Sequence, residues 1–189
     1  DDSYGSIDEI PRWVEKITFK SNSFCDVSEL VLSGFPNLRS LVFEDGSFAN
    51  VNAIELDLPV VEELIIGVGC FSGMNSGRRL SVDVGRFVLN CPLLNIIRIG
   101  SGSFGNINVI TMTSVSVNLE IELEMNSMKN VNRIEYDVSI SVSVVTRIEM
   151  AIENTPGHEG DVVIEEVIPT TTVPTTSIPT TSIPTTQIP

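Results

Sequence analysis

Short alternations of apolar and polar residues recur along the chain as one phrase. ITFKSNSF (residues 17–24) is followed by LVFEDGSF (41–48), LIIGVGCF (64–71), IIRIGSGSF (96–104) and IELEMNSM (121–128). Aligned on their last residue, the anchors are Phe24, Phe48, Phe71, Phe104 and Met128, separated by 24, 23, 33 and 24 residues. A fixed period of this length marks a repeat architecture in which no unit can bury its apolar face alone.

Each column of the alignment has a physical meaning. Ile17, Leu41, Leu64, Ile97 and Ile121 form one apolar column, and Phe19, Phe43, Ile66, Ile99 and Leu123 a second, two residues later. Period two places both on one face of a short strand, with Thr18, Val42, Ile65, Arg98 and Glu122 on the other. Two residues before the anchor stand Asn22, Gly46, Gly69, Gly102 and Asn126. Gly and Asn tolerate positive φ, so this column predicts a recurrent left-handed bend.

A second strand is predicted beyond the anchor. Its apolar positions are Val27, Val51, Met74, Ile107 and Val131, then Leu30, Ile54, Ile110 and Ile134, then Leu32, Leu56, Met112 and Tyr136. The third unit loses this register and recovers it at Phe87 and Leu89, while Pro36, Pro59 and Pro92 each stand 12 residues before the next anchor. The roughly ten extra residues therefore fall in residues 73–85, a loop extruded from one unit, and such loops often carry function. At the start, SIDEIP (6–11) is similar to the return corner IELDLP (54–59), as if the chain began inside an earlier unit. VVTRIEMAI (144–152) reads as a worn final strand or a C-terminal cap.

The phrases VxxIxFxxxSF, LxxLxFxxxSF and LxxIxIxxxSF resemble the leucine-rich repeat consensus LxxLxLxxNxF. Ile99-Gly100-Ser101-Gly102-Ser103-Phe104, with a second strand in each unit, is more similar to the branch found in surface antigens of bacteria and protists. The resemblance spans roughly residues 7–152. It implies a repeat solenoid, mainly β, with two short parallel strands per unit of about 24 residues. Two departures matter: the usual Asn ladder is replaced by Gly/Asn then Ser/Cys, and no helical stretch fills the convex side. A nearly straight, β-rich solenoid is therefore expected over 1–154, and a right-handed parallel β-helix is the alternative.

The composition changes after the repeats. Residues 155–167 are acidic and turn-rich and read as a linker. Residues 168–189 repeat Pro every five residues among Thr, with no charge. Pro at that spacing excludes helices and sheet ladders, so a disordered, extended stalk is expected, and Thr/Pro tracts resemble O-glycosylated stalks. An ordinary flexible linker is the alternative.

Charge narrows the function. Acidic residues outnumber basic ones 25 to 11, for a net charge of −14. That excludes a cationic nucleic-acid surface and a polybasic membrane anchor. No apolar run approaches the ~18 residues of a membrane-spanning helix, so no direct membrane insertion is expected. The chain opens on Asp1-Asp2 without a signal peptide and reads as a fragment or processed product. No Asn-x-Ser/Thr acceptor for N-glycosylation is present: Asn22-Ser23 runs into Phe24, and Asn154-Thr155 into Pro156.

Candidate chemistry is sparse. The single histidine, His158, falls in the linker and reads as solvated, so a Ser-His-Asp, Cys-His or multi-His zinc site on the repeats is not available. Cys25, Cys70 and Cys91 lack CxxC spacing and read as buried inert thiols; in an oxidising compartment Cys70–Cys91 is the pair to test, leaving Cys25 free. Glu55 and Glu135 share one outward column of the second strand, and Asp57 and Asp137 the next. Glu44 and Glu124 project from the first. Two nearby carboxylates can hydrolyse glycosides, but residues two apart on a strand are ~7 Å apart from β geometry alone. Calcium spacing of the EF-hand or RTX type is missing. Arg78, Arg79 and Arg86 concentrate in or beside the extruded loop, where they could contact a carboxylate or sulfate on a partner, or be neutralised by Glu62, Glu63 or Asp83.

These features favour a non-enzymatic module without cofactors, binding a protein or glycan through the outward columns and the loop. The Thr/Pro stalk suggests a cell-surface or secreted protein. An intracellular interaction scaffold and a polysaccharide-acting β-helix enzyme are the competing readings.

Overall fold

The computed structural model describes residues 7–73, 85–158 and 160–167. They form a mainly β structure of two all-parallel sheets and one α-helix. In the first sheet lie, side by side, β1 (Lys16–Phe19), β3 (Ser40–Phe43), β5 (Glu63–Ile66), β7 (Ile96–Ile99) and β9 (Glu120–Leu123). In the second lie β2 (Glu29–Ser33), β4 (Ala53–Asp57), β6 (Gly85–Cys91), β8 (Ile107–Val115), β10 (Arg133–Asp137) and β11 (Val163–Val167). Strands consecutive in the chain thus alternate between sheets, and each pairs with the strand one unit away.

The repeat columns are the pairing register. Ile17, Leu41, Leu64, Ile97 and Ile121 are direct partners across the first sheet. Leu30, Ile54, Phe87, Ile110 and Ile134 are partners across the second, so the third unit does recover at Phe87. Because the side-chain period is two, this register turns every apolar column inward, where both sheets contribute to one core.

The anchors run through that core as a file. Phe24 stacks on Phe48 at 4.9 Å, Phe48 on Phe71 at 6.0 Å, and Phe71 meets Phe104 at 5.2 Å. Each anchor also adopts positive φ: 55° at Phe24, 52° at Phe48, 55° at Phe71, 58° at Phe104 and 52° at Met128. A bulky residue there costs about 1–2 kcal/mol. Burying a Phe ring gains about 1.5–3 kcal/mol, and ring pairs add about 0.5–1.5 kcal/mol, so packing outweighs the strain.

The predicted bend column holds positive φ throughout: 58° at Asn22, 72° at Gly46, 69° at Gly69, 69° at Gly102 and 58° at Asn126. The bends also bond to one another. Asn22 N–H donates to Asp45 C=O at 2.9 Å, Gly46 to Val68 at 2.8 Å and Gly69 to Ser101 at 2.9 Å. A separate side-chain ladder runs two residues past the anchor. Asn50 Nδ2 donates to Cys25 C=O at 2.7 Å, and Asn130 Nδ2 to Gly105 C=O at 2.6 Å, each reaching back one unit.

Two expectations need correction. Residues 144–152 are not a strand but lie within an α-helix, α1 (Val142–Glu153), packed on β9 and β10. Its buried residues Val144, Val145, Ile148 and Ile152 follow helical spacing, which an alternating strand cannot bury on one face. Residues 163–167 are not free linker: β11 pairs in parallel with β10, Ile134 opposite Ile164. In the stretch likened to a return corner, Ile7–Glu9 is a 3₁₀ turn. Ile10 N–H bonds Ile7 C=O at 3.1 Å, and both side chains pack on the core at a three-residue spacing that period two would split.

The described part of the chain therefore contains a sixth bend. Asn126 N–H donates to Pro156 C=O at 2.7 Å, Gly157 has φ 93°, and Val162 is buried three residues past position 159. In this last unit α1 replaces the first strand.

Candidate binding surface

The outer face of the second sheet carries most of the candidate residues. In register, Val31, Glu55, Val88, Thr111, Glu135 and Glu165 make one row across it. Below that row, Ala53, Arg86, Val109, Arg133 and Val163 make another.

The two rows are cross-linked. Arg86 forms an ion pair with Glu135, and its Nε donates to Thr111 Oγ1 at 2.8 Å. Thr111 Oγ1 donates to Glu135 Oε2 at 3.1 Å. Arg133 lies 3.7 Å from Glu135 and 3.5 Å from Glu165. The Glu135 side chain is only 14% exposed, so two guanidinium groups and a hydroxyl screen it from water. Arg86 is thus neutralised, but across the sheet: Glu62 pairs with Arg39, and Glu63 lies 3.4 Å from Arg98.

Along the upper rim, Asn90 Nδ2 donates to Asp57 Oδ1 at 2.8 Å, and Ser139 N–H donates to Asp137 Oδ1 at 2.8 Å. The Ser139 bonds hold the Asp137 carboxyl below its ordinary range. Glu55 is exposed in the middle row. Arg78 and Arg79 lie outside the described residues. The structure therefore joins Arg86 with Glu135, keeps Asp57 and Asp137 on separate local partners, and gathers no pair of free acids from these candidates.

Sequence reasoning missed Arg133 and Glu165, while Thr111 falls in the outward column of Glu55 and Glu135 as the repeat alignment places it. Arg133 stands directly before Ile134 as Arg86 stands before Phe87, so the repeat alignment held that signal. Glu165 was hidden because residues 163–167 lack the anchor phrase.

Glu44 and Glu124 do not project freely. Glu44 accepts Ser21 N–H at 3.1 Å, and Glu124 accepts Ser101 N–H at 3.0 Å, so each carboxylate caps the bend one unit earlier. Lys20 above all, with Ser21, pulls the Glu44 carboxyl below its usual range. On the first sheet Arg98 Nε donates to Glu122 at 2.7 Å, which raises the guanidinium's proton affinity further.

The three cysteines are free thiols. Cys70 lies beside Ser47 at 3.5 Å and reaches Glu44 C=O at 3.2 Å, while Cys91 reaches Leu56 C=O at 3.6 Å. Burial raises the Cys70 thiol and pushes Cys91 up to about 12. Among the described residues no group of three or more His, Cys, Asp or Glu gathers to hold a metal ion. No described helix is long and apolar enough to cross a membrane.

His158 is not solvated. Its N–H donates to Thr155 C=O at 3.0 Å, as Ser47 N–H does to Glu44 C=O at 3.1 Å, which places it in the column of Ser23, Ser47, Cys70, Ser103 and Ser127. Both ring nitrogens are buried and lack a hydrogen-bond partner.

No family model matches the sequence, and neither a curated protein nor a solved structure matches it.

Proposed function

We propose that this chain is a non-enzymatic binding module, a short leucine-rich-repeat-like solenoid carried on the Thr/Pro segment of residues 168–189. One observation carries the reading: the repeat columns are hydrogen-bonded partners in both parallel sheets, so outward residues stand in rows on a fixed backbone. A preordered wall loses little conformational entropy when a partner docks. Two sheets per unit favour this solenoid over a three-sheet β-helix. The charges already bonded on the second sheet suit recognition better than hydrolysis, since the Glu135 carboxylate is already held by Arg86, Arg133 and the Thr111 hydroxyl.

The partner class is a protein or glycan met at a cell surface or outside the cell. Display of the intact chain on glycan and extracellular-protein arrays tests this. Binding that drops in the double variant Glu55→Lys/Asp57→Lys, with circular dichroism unchanged, supports it. Release of reducing ends from polysaccharide by the purified chain would replace it with the enzyme reading. Mass spectrometry of the secreted chain tests the stalk: hexose or HexNAc on the Thr repeats is expected, and an unmodified product opposes a surface stalk.

A further inference from the structure

We infer that this chain pairs with a second copy of itself along the edge built by its return corners. The corners repeat one turn. Val14 N–H donates to Pro11 C=O at 3.3 Å, Leu38 to Phe35 at 3.3 Å, Leu94 to Cys91 at 3.1 Å, Leu119 to Ser116 at 3.2 Å and Ile140 to Asp137 at 2.9 Å. In each of these, and in the matching corner 58–61, the two middle residues form a tip while the last packs on the core. Lys16, Ser40, Glu63, Ile96 and Glu120, which open the strands after five of the corners, are direct partners. The tips therefore stand in one row, about 24 Å long at the ~4.8 Å spacing of neighbouring strands.

The row is apolar and open. Trp13 is 71% exposed, Leu93 49%, Val117 66% and Val138 56%, with Pro36 and Pro59 exposed between them. A chain with 25 acidic residues places none at the two tip positions of any corner, and Arg12 is the one charge there. The bends on the opposite edge, by contrast, carry Glu44 and Glu124. A contiguous exposed apolar surface of this kind marks a contact site.

Three features make a second copy the occupant. A chain of net charge −14 repels its own kind, and along this row two copies meet without carboxylates opposed at the tips. A row of even pitch is also complementary to itself, since the tips of one copy seat between the tips of the other, and a two-fold axis closes the contact. Charge then sets the direction. Antiparallel rows bring Arg12 and Trp13 of the first corner to Asp137 and Val138 of the partner's last corner, and the two-fold repeats that contact at the far end. Parallel rows would set Arg12 against Arg12. The guanidinium is held ready, with Nη1 donating to Ser33 C=O at 2.6 Å and its plane 4.5 Å over the Phe35 ring, and its remaining N–H groups are donors for a carboxylate. Pairing along this edge leaves the outer faces of both sheets uncovered for another ligand.

Sedimentation velocity of the intact chain from about 1 to 100 μM tests the inference, and a monomer–dimer equilibrium is expected in that range. Trp13 is the only tryptophan, so its emission should shift to the blue with the same midpoint. Leu93→Asp/Val117→Asp places acids on two tips without touching the core and should weaken association at least about tenfold, with circular dichroism unchanged. Val68→Asp/Met125→Asp, on the opposite edge, should leave it unchanged. A chain that stays monomeric throughout overturns the inference, as does a dimer indifferent to Leu93→Asp/Val117→Asp or one lost in Val68→Asp/Met125→Asp. A Trp13 shift that needs added phosphatidylcholine vesicles also overturns it, in favour of a lipid surface.

Discussion

Gly157 covers Asn126 as Gly46 covers Asn22: a Cβ on either glycine would overlap the asparagine's Oδ1. Both glycines hold positive φ, and in both cases the asparagine N–H bonds the carbonyl of the residue before the glycine. The bend is therefore a unit of construction that works with a strand ahead of it or with α1. What it requires is a residue able to sit at positive φ and, where the previous bend carries an asparagine, one without a Cβ.

That requirement separates two neighbouring glycines. Gly102 has φ 69° with nothing within 4 Å of a Cβ, so Gly102→Ala pays only the backbone cost, about 1–2 kcal/mol. Gly102→Asn should recover part of it, since Asn serves at positions 22 and 126. At Gly100 a Cβ would stand 2.7 Å from the backbone of Gly67 and Val68, which cannot move aside cheaply. Gly100→Ala should lower the urea midpoint clearly more than Gly102→Ala. The reverse order would mean that the bends do not stack as described.

The ring file predicts a gradient of a different kind. Phe48 has neighbours on both sides, at 4.9 and 6.0 Å, and is fully buried, whereas Phe24 ends the described file and is half-buried. Phe48→Ala should cost about 3–5 kcal/mol, the range for emptying a buried aromatic site. Phe24→Ala should cost visibly less. Equal costs by chemical denaturation would show that the file does not end where it is placed.

Much of this geometry is legible in the sequence because a repeat converts weak local signals into aligned columns. Five Gly/Asn residues located the bends, and period-two apolar columns located the strands and their register. The positive φ at the anchors was not legible, since nothing in a Phe residue announces it; only the neighbouring rings make it affordable. Residues 144–152 misled because short apolar runs fit strand and helix alike, and the repeat context favoured strand. Val144, Ile148 and Ile152 nevertheless carry the four-residue spacing of a helix. The last bend escaped because His158 occupies the Ser/Cys position. On the outer face, residue positions could be read but bond partners could not: Arg86 finds Glu135 two strands away in the sheet, a distance that no local spacing encodes.

That long-range pair should behave as a shared network. Removing Glu135 leaves Arg86 and Arg133 facing each other, whereas removing Arg86 leaves Glu135 with Arg133 and Thr111. Glu135→Ala is therefore the more damaging single change. A double-mutant cycle with Arg86→Ala should give a coupling of about 0.5–1 kcal/mol, since the Arg86 side chain is 50% exposed and water screens the pair. The coupling should shrink in 1 M salt, where the screening length falls to about 3 Å. A coupling of zero at low salt would place Arg86 in solvent, free for a partner.

Thiol chemistry gives the last test, because the three cysteines differ in burial and not in kind. Cys91 is fully buried and pushed up to about 12, so it stays protonated far above neutral pH. Cys70, also buried, is shifted in the same direction, with desolvation the larger cause and the Ser47 hydrogen bond opposing it. The thiolate is the reactive form, so both should resist an aromatic disulfide reagent at pH 8 while the fold is intact. Cys25 is half-exposed and its Sγ contacts only backbone carbonyls, at 3.2 Å for Asn22. Folded chain should therefore release one equivalent of the chromophore quickly, and denatured chain three. A Cys25→Ser variant should release none until unfolded, and its slow phase then reports the opening of the core. Fast release of two equivalents from the folded chain would mean that the bend around Cys70 admits solvent, against the burial on which the column of small inward residues rests.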